Sequence, residues 1–312
     1  RPPRSTRKES SAASDVYKRQ IDKNLMQYHS PSSFNEAVAI SNSSSGLVKY
    51  LAGGTDVLVQ LKIGTKSPDH LIDIKNIPGV REISLRDDGG YTIGAAVSGA
   101  QLTEHKELSK KWPGLVEGME LVGSAQIQSR ATLVGNLCNG SPAADSVPGM
   151  IAAGASVSIL NSSGTKDVLV EDIPSGPGST SLENGELITA INLPKRNDYE
   201  GDAYLRFIPR TEMDIAVVGC AVNLSLEKGV ITSAKVVLGA VGPKVILAHS
   251  AADCLVGTKL DGNILSRFSA KCSQIAKPIS DKRGSEEFRK DIIGVIAQRA
   301  AKKAYDRALG NN

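Results

Sequence analysis

Leu51-Ala-Gly-Gly-Thr-Asp56 and, further along, Thr132-Leu-Val-Gly-Asn-Leu-Cys-Asn-Gly-Ser-Pro-Ala-Ala-Asp145 decide how this chain reads. Both crowd glycines, small hydroxyls and one acid into a few positions flanked by apolar residues. In the first, Val48 to Ala52 predicts a buried strand, Gly53 and Gly54 a tight turn with outward N–H groups, and Val57 onward a short helix. Such a turn can hold a diphosphate on main-chain donors. The second predicts another glycine turn, with side-chain donors in Thr132, Asn136, Asn139 and Ser141 and with Asp145 as acceptor for a ribose hydroxyl. Two such turns from separate segments predict a large dinucleotide between them. Neither carries Gly-x-Gly-x-x-Gly or Gly-x4-Gly-Lys-Ser/Thr, so the two commonest nucleotide fingerprints are excluded.

Outward from these stretches, the pattern alternates strands and helices. Ser33-Phe-Asn-Glu36 has the form of a capping box and predicts a helix from Phe34 to about Ser41. A strand over Leu71 to Ile74 then completes a small α/β unit ending near Ile77-Pro-Gly79. Glu82 to Leu85 and Tyr91 to Gly94 predict a hairpin around Asp87-Asp-Gly-Gly90. Helices are expected over Gly99 to Leu108, Leu115 to Leu121 and Pro142 to Ala153. Strands are expected over Ser156 to Leu160, Val168 to Glu171 and Glu186 to Leu193, with Ile173 to Ser181 as a loop. The polar segment Pro194 to Gly201 predicts a domain boundary. Beyond it, Tyr204 to Ile208, Ile215 to Leu226 and Val230 to Ala240 predict an antiparallel sheet, followed by helices over Ala248 to Leu255, Ile264 to Ile275 and Glu286 to Ala308. In the last, Phe288, Ile292, Val295, Ile296, Ala300 and Ala304 recur at helical spacing and predict the buried face.

Composition narrows the function classes. A chain of 312 residues, 40% hydrophobic and 22% charged, can bury a sizeable core and is long enough for two domains. Its net charge of +4 lies wholly in residues 1–20, where Arg1, Arg4, Arg7, Lys8, Lys18 and Arg19 face only Glu9 and Asp15. The rest is balanced, which argues against nucleic-acid binding. That tail lacks apolar periodicity and predicts disorder, whether native or not. No apolar run reaches the roughly 18–20 residues of a membrane span, so a cytoplasmic location is expected. Cys138, Cys220, Cys254 and Cys272 form no Cys-x-x-Cys pair, and His29, His70, His105 and His249 are scattered, so no metal site is expected. No Ser-His-Asp arrangement or spaced acid pair points to catalytic side chains.

The two turns, with Ile93-Gly-Ala-Ala-Val97, Gly123-Ser-Ala-Gln-Ile127, Glu186-Leu-Ile188, Asp214-Ile-Ala216 and Arg283-Gly-Ser-Glu-Glu-Phe-Arg289, occur in an order that resembles one family. It is the FAD-binding medium subunit of the molybdenum hydroxylases, the group of aerobic carbon monoxide dehydrogenase and xanthine dehydrogenase. The resemblance runs from about Ile21 to the C-terminus. It implies an α+β fold: a two-part FAD-binding domain of the vanillyl-alcohol-oxidase/PCMH type over residues 21–195, with subdomains of about 21–77 and 78–195, then a smaller α+β domain over 196–312. It also implies that Leu51, Ala52, Gly53, Gly54, Thr55 and Asp56, with Thr132, Leu133, Val134, Gly135 and Asn136, hold the FAD pyrophosphate. Asp145 would bond the adenosine side, Leu187 would pack near the flavin and Arg206 would lie close to its ring. Implied partners are an iron–sulfur small subunit and a molybdopterin-binding large subunit, with electrons passing through FAD to an external acceptor.

The chain departs from the family pattern at several positions. Val134 replaces a frequent glycine, Gln128 and Ser129 replace an Arg-Asn pair, Arg206 replaces a lysine, and Val122 stands where some relatives have an aromatic ring. Two alternatives stay open: a stand-alone flavoprotein oxidoreductase of the same fold, and a non-redox assembly module.

Overall fold

The computed structural model describes residues 26–310, so the expected N-terminal tail lies outside the described residues. The chain opens with β1 (Gln27–His29), α1 (Phe34–Ser43), β2 (Val48–Leu51), α2 (Val57–Ile63) and β3 (His70–Asp73). The three strands form a parallel sheet in the order β1-β3-β2. Strand β1 was not expected; three residues are too short to show a period. Ser33 caps α1 by accepting from the Glu36 N–H at 3.1 Å, but the reciprocal half of the expected box is shifted. The Glu36 carboxylate instead accepts from the backbone N–H (2.7 Å) and hydroxyl (2.8 Å) of Ser32.

The hairpin β4 (Ile83–Leu85) and β5 (Tyr91–Gly94) follows as expected. The helix expected over Gly99 to Leu108 divides into α3 (Gly99–Glu104) and α4 (Lys106–Lys111), because His105 leaves helical geometry and its Nδ1 accepts from the Leu108 N–H at 3.2 Å. Pro113 starts α5 (Pro113–Glu120), where its missing N–H costs nothing. Then come α6 (Ala125–Gln128), α7 (Leu133–Cys138) and α8 (Ser146–Ala152). The helix expected from Pro142 begins only at Ser146, and all seven of its residues are buried. β6 (Ser156–Asn161), β7 (Gly164–Leu169), the small hairpin β8 (Pro174–Gly176) and β9 (Ser179–Thr180), and β10 (Leu187–Leu193) complete this part. The hairpin lies where a loop was expected. An antiparallel sheet runs β4-β5-β10-β6-β7.

Strands β11 (Glu200–Phe207), β12 (Val218–Glu227), β13 (Val230–Gly239) and β14 (Ile246–Leu247) form the expected antiparallel sheet in sequential order. Lys228 and Gly229, at φ +52° and +77°, make the two-residue turn between β12 and β13. Helices α9 (His249–Ala252), α10 (Gly262–Ile275) and α11 (Glu286–Ala308) follow. The buried face of α11 differs from expectation. Ile293, Ile296, Ala297, Ala300, Ala301, Ala304 and Ala308 face inward, while Phe288 and Val295 are exposed. The alanine stripe lets the helix backbone press on β11, so closely that a Cβ at Gly201 would overlap the Ala304 carbonyl.

Period-two alternation splits this sheet between two cores. Tyr204, Ala221 and Val237 join the first core, with Trp112, Leu115, Met119 and Met150. Ala203, Cys220, Val222, Val236 and Leu238 join the second, with Phe268 and the alanines of α11. The sheet therefore has α8 on one face and α11 on the other, and it turns alternate β11 side chains toward α8.

Candidate cofactor site

The first glycine turn leaves β2 at the buried Leu51 and runs through Ala52 to Asp56 into α2. Gly54 has φ +79°, a conformation that L side chains rarely adopt. Gly53 is pressed on the backbone of the second segment: an added Cβ would overlap the Arg130 carbonyl oxygen and lie 3.1 Å from Ala131 Cα. The first turn thus packs directly on the two residues that precede the second stretch. Thr55 and Asp56 are half-buried, and the Asp56 carboxylate makes no capping hydrogen bond to α2.

In the second stretch Leu133–Cys138 forms a helix that was not expected, and the glycine turn follows it at Gly140, φ +61°. Thr132 is buried, pairs with Ser98 in a single antiparallel bridge, and caps α7 by accepting the Gly135 N–H at 2.9 Å. That Thr cap before an apolar pair nucleates helix in preference to a turn. Leu133 and Val134 point into the core, so Val134 fills space inside the protein. A Cβ at Gly135 would meet only Thr132 Oγ1, at 3.0 Å, and its other sides are open. Asn136 Oδ1 accepts from the Ser146 hydroxyl at 2.7 Å and, more weakly, from the Ser146 N–H at 3.4 Å. Asn139 only ends α7, with its N–H on the Gly135 carbonyl at 3.2 Å.

Asp145 sits at the start of α8, facing β11. Tyr204 donates its hydroxyl to Oδ1 at 2.8 Å, and Arg206, two residues along the same strand face, donates Nη1 to Oδ2. Both members of the ion pair are buried. Burial pushes the Asp145 carboxyl up to about 6, against the pull of Arg206 and Tyr204. Burial, with the Asp145 charge adding to it, drives the Tyr204 phenol well above its ordinary value. Arg206 Nε is buried and has no partner. The resemblance put Asp145 at the adenosine and Arg206 at the flavin ring. The structure brings the two into direct contact. Leu187 lies apart from this pair, buried at the start of β10 opposite Leu160.

The sequence reading missed Ser146 and Tyr204. Ser146 follows Asp145 directly, and Tyr204 precedes Arg206 by two on a strand; both spacings were available as signals. Among the described residues, Arg206 Nε is a buried donor without a partner, and the Asn136 amide NH2 makes no hydrogen bond. Among the described residues, no group of three or more His, Cys, Asp or Glu could hold a metal ion. No helix among them is long and apolar enough to cross a membrane.

Comparison with known proteins gives the family of the chain. A family model described as the FAD binding domain in molybdopterin dehydrogenase matches residues 23–196, and one described as the CO dehydrogenase flavoprotein C-terminal domain matches residues 203–304. The chain is 30% identical to a xanthine dehydrogenase FAD-binding subunit of Escherichia coli, over 91% of this chain and 97% of that protein. It is 32% identical to the carbon monoxide dehydrogenase medium chain of Afipia carboxidovorans, over 90% and 97%. Its fold matches a chain of the reconstituted CO dehydrogenase from Oligotropha carboxidovorans with a TM-score of 0.85 at 32% identity, covering 91% of this chain and 98% of that one. With both parts of the chain matched and relatives covered almost end to end, the chain belongs to the family of FAD-binding subunits of the molybdenum hydroxylases and is an FAD-dependent oxidoreductase subunit.

Proposed function

We propose that this chain holds FAD with its diphosphate between the Gly53–Asp56 turn and the Thr132–Asn136 segment, and that it relays electrons from an iron–sulfur partner subunit to an external acceptor. The observation that carries the placement is the contact of Gly53 with the Arg130–Ala131 backbone, which brings the first turn beside the start of the second stretch. FAD, when bound, supplies the redox chemistry, so the protein's part is to bind, orient and shield it. Gly54 sets the turn, Asn136 donates its amide NH2, and the Asp145–Arg206 pair with Tyr204 contributes one buried polar wall. Arg206 Nε supplies an unpaired donor on that wall.

Oxidation of the organic or carbon monoxide substrate falls to a molybdopterin-binding large subunit. In support, the relatives carry names such as medium chain and FAD-binding subunit, and the described residues offer no metal-binding cluster. The four cysteines are unpaired, as in a reducing compartment, which supports a cytoplasmic location. The test is reduction of the bound flavin. Candidate substrates mixed with the isolated chain should leave it oxidised, and adding both partner subunits should bleach it. Rapid bleaching by the chain alone would replace this reading with a stand-alone flavoprotein oxidoreductase.

A further inference from the structure

Ser146 is fully buried and the two groups it can donate from converge on one atom, Asn136 Oδ1. A backbone N–H can only donate, so the oxygen of the carboxamide must be the end that faces Ser146. The NH2 end then faces the other way, and among the described residues it has no hydrogen-bond acceptor. Asn136 stands in the first turns of α7, in the segment whose approach lies against Gly53. Its neighbour in the network, Asp145, is tied to β11 through Tyr204 and Arg206, so Ser146 is carried on a backbone anchored from its other side.

We propose that Ser146 is a positioning residue for the cofactor: by fixing Asn136 Oδ1 it turns the Asn136 NH2 toward the diphosphate of FAD. The inference rests on the cofactor placement proposed above. Without the Ser146 hydroxyl, the amide loses its strongest orienting partner and can rotate. In half of its orientations it would then present an oxygen, with its partial negative charge, to an anionic diphosphate. Ser146 touches the ligand at no point and acts only through Asn136.

A double-mutant cycle separates this role from a general structural one. FAD dissociation constants are measured by flavin fluorescence on the full chain for the wild type, Asn136→Ala, Ser146→Ala and the double variant. Ser146→Ala should weaken FAD binding about 5- to 20-fold, the range of one buried hydrogen bond to a partner left unoriented. Asn136→Ala should weaken it at least as much. In the Asn136→Ala background, Ser146→Ala should change affinity by less than about twofold. Ser146→Cys, which keeps the side chain's bulk but donates poorly, should match Ser146→Ala and guards against a loss caused by a packing defect. Wild-type affinity in both Ser146 variants, or the same fold-loss whether or not Asn136 is present, would overturn the positioning role alone. Wild-type affinity in Asn136→Ala would overturn the cofactor placement and this role with it.

Discussion

Replacing Asp145 by Asn should change the pH dependence of stability: the variant should gain on the wild type as pH rises through 6, whatever the fixed cost of leaving Arg206 without its carboxylate. The carboxyl stands at about 6 in the fold against an ordinary value of 3.8, and burial is the cause, outweighing the attraction of Arg206. The folded state therefore holds this proton more tightly than the unfolded chain does. A group raised in this way gives its full stability below about pH 4 and loses it as pH rises through 6. The shift corresponds to about 3 kcal/mol. Asn mimics the protonated carboxyl in size and charge, so it escapes that loss. The assay is urea unfolding of the flavin-free full chain, followed by Trp112, the sole tryptophan, which is buried in the first core. Only the difference between variant and wild type is read at each pH. Glu117, Asp73 and Glu186, held below their ordinary values despite burial, then affect both proteins alike. Between pH 4.5 and pH 7.5 the stability difference should move in favour of Asp145→Asn by about 2 kcal/mol. A difference that moves against the variant as pH rises from 4.5 to 7.5 would refute the reasoning and show that the Arg206 attraction outweighs burial.

Gly53→Ala should destabilise the chain by about 1–3 kcal/mol, because the added carbon overlaps the Arg130 carbonyl and rigid backbone must move; an unchanged melting temperature would mean the first turn does not pack on that backbone. Asp202→Ala should cost about 3–5 kcal/mol, since the buried carboxylate accepts from Gly114 N–H at 2.8 Å and Arg196 Nη1 at 2.6 Å, and its loss strands a nearly buried guanidinium. Urea titration would show a loss under 1 kcal/mol if that carboxylate were dispensable. Neither a histidine nor a cysteine occurs in either glycine-bearing stretch except Cys138, at the far end of α7, so FAD should bind without a covalent link. Heat or acid precipitation should leave all of the yellow flavin in the supernatant, and colour in the pellet would contradict this.

Long, strongly patterned elements were legible in the sequence. Helix α11 spans Glu286 to Ala308 as expected, since Ser285 caps it by accepting from the Phe288 N–H and 23 residues show a clear period. Its orientation was less legible. Residue size decided it: alanines that carry little hydrophobic signal allow close approach to β11, and the larger Phe288 and Val295 do not fit there. In the second glycine stretch the turn at Gly140 was legible, but the short helix before it was not, although the Thr132 cap and the apolar pair after it carried a helix signal. The expected contact of both stretches with one ligand needed only composition. The packing of the first turn on Arg130 and Ala131 needed coordinates. The Asn136–Ser146 and Asp145–Arg206 links join residues 10 and 61 positions apart, and no local pattern encodes such pairings. Resemblance named Asp145 and Arg206 one at a time and gave no sign of their pairing.

Hydrogen exchange of the full chain with and without FAD tests the cofactor placement most directly. Adding FAD should slow amide exchange in residues 51–56 and 132–136 together, with smaller effects around Asp145 and Arg206, and should leave the exposed end of α11 unchanged. Protection confined to one of the two glycine-bearing stretches, or centred elsewhere, would contradict the account.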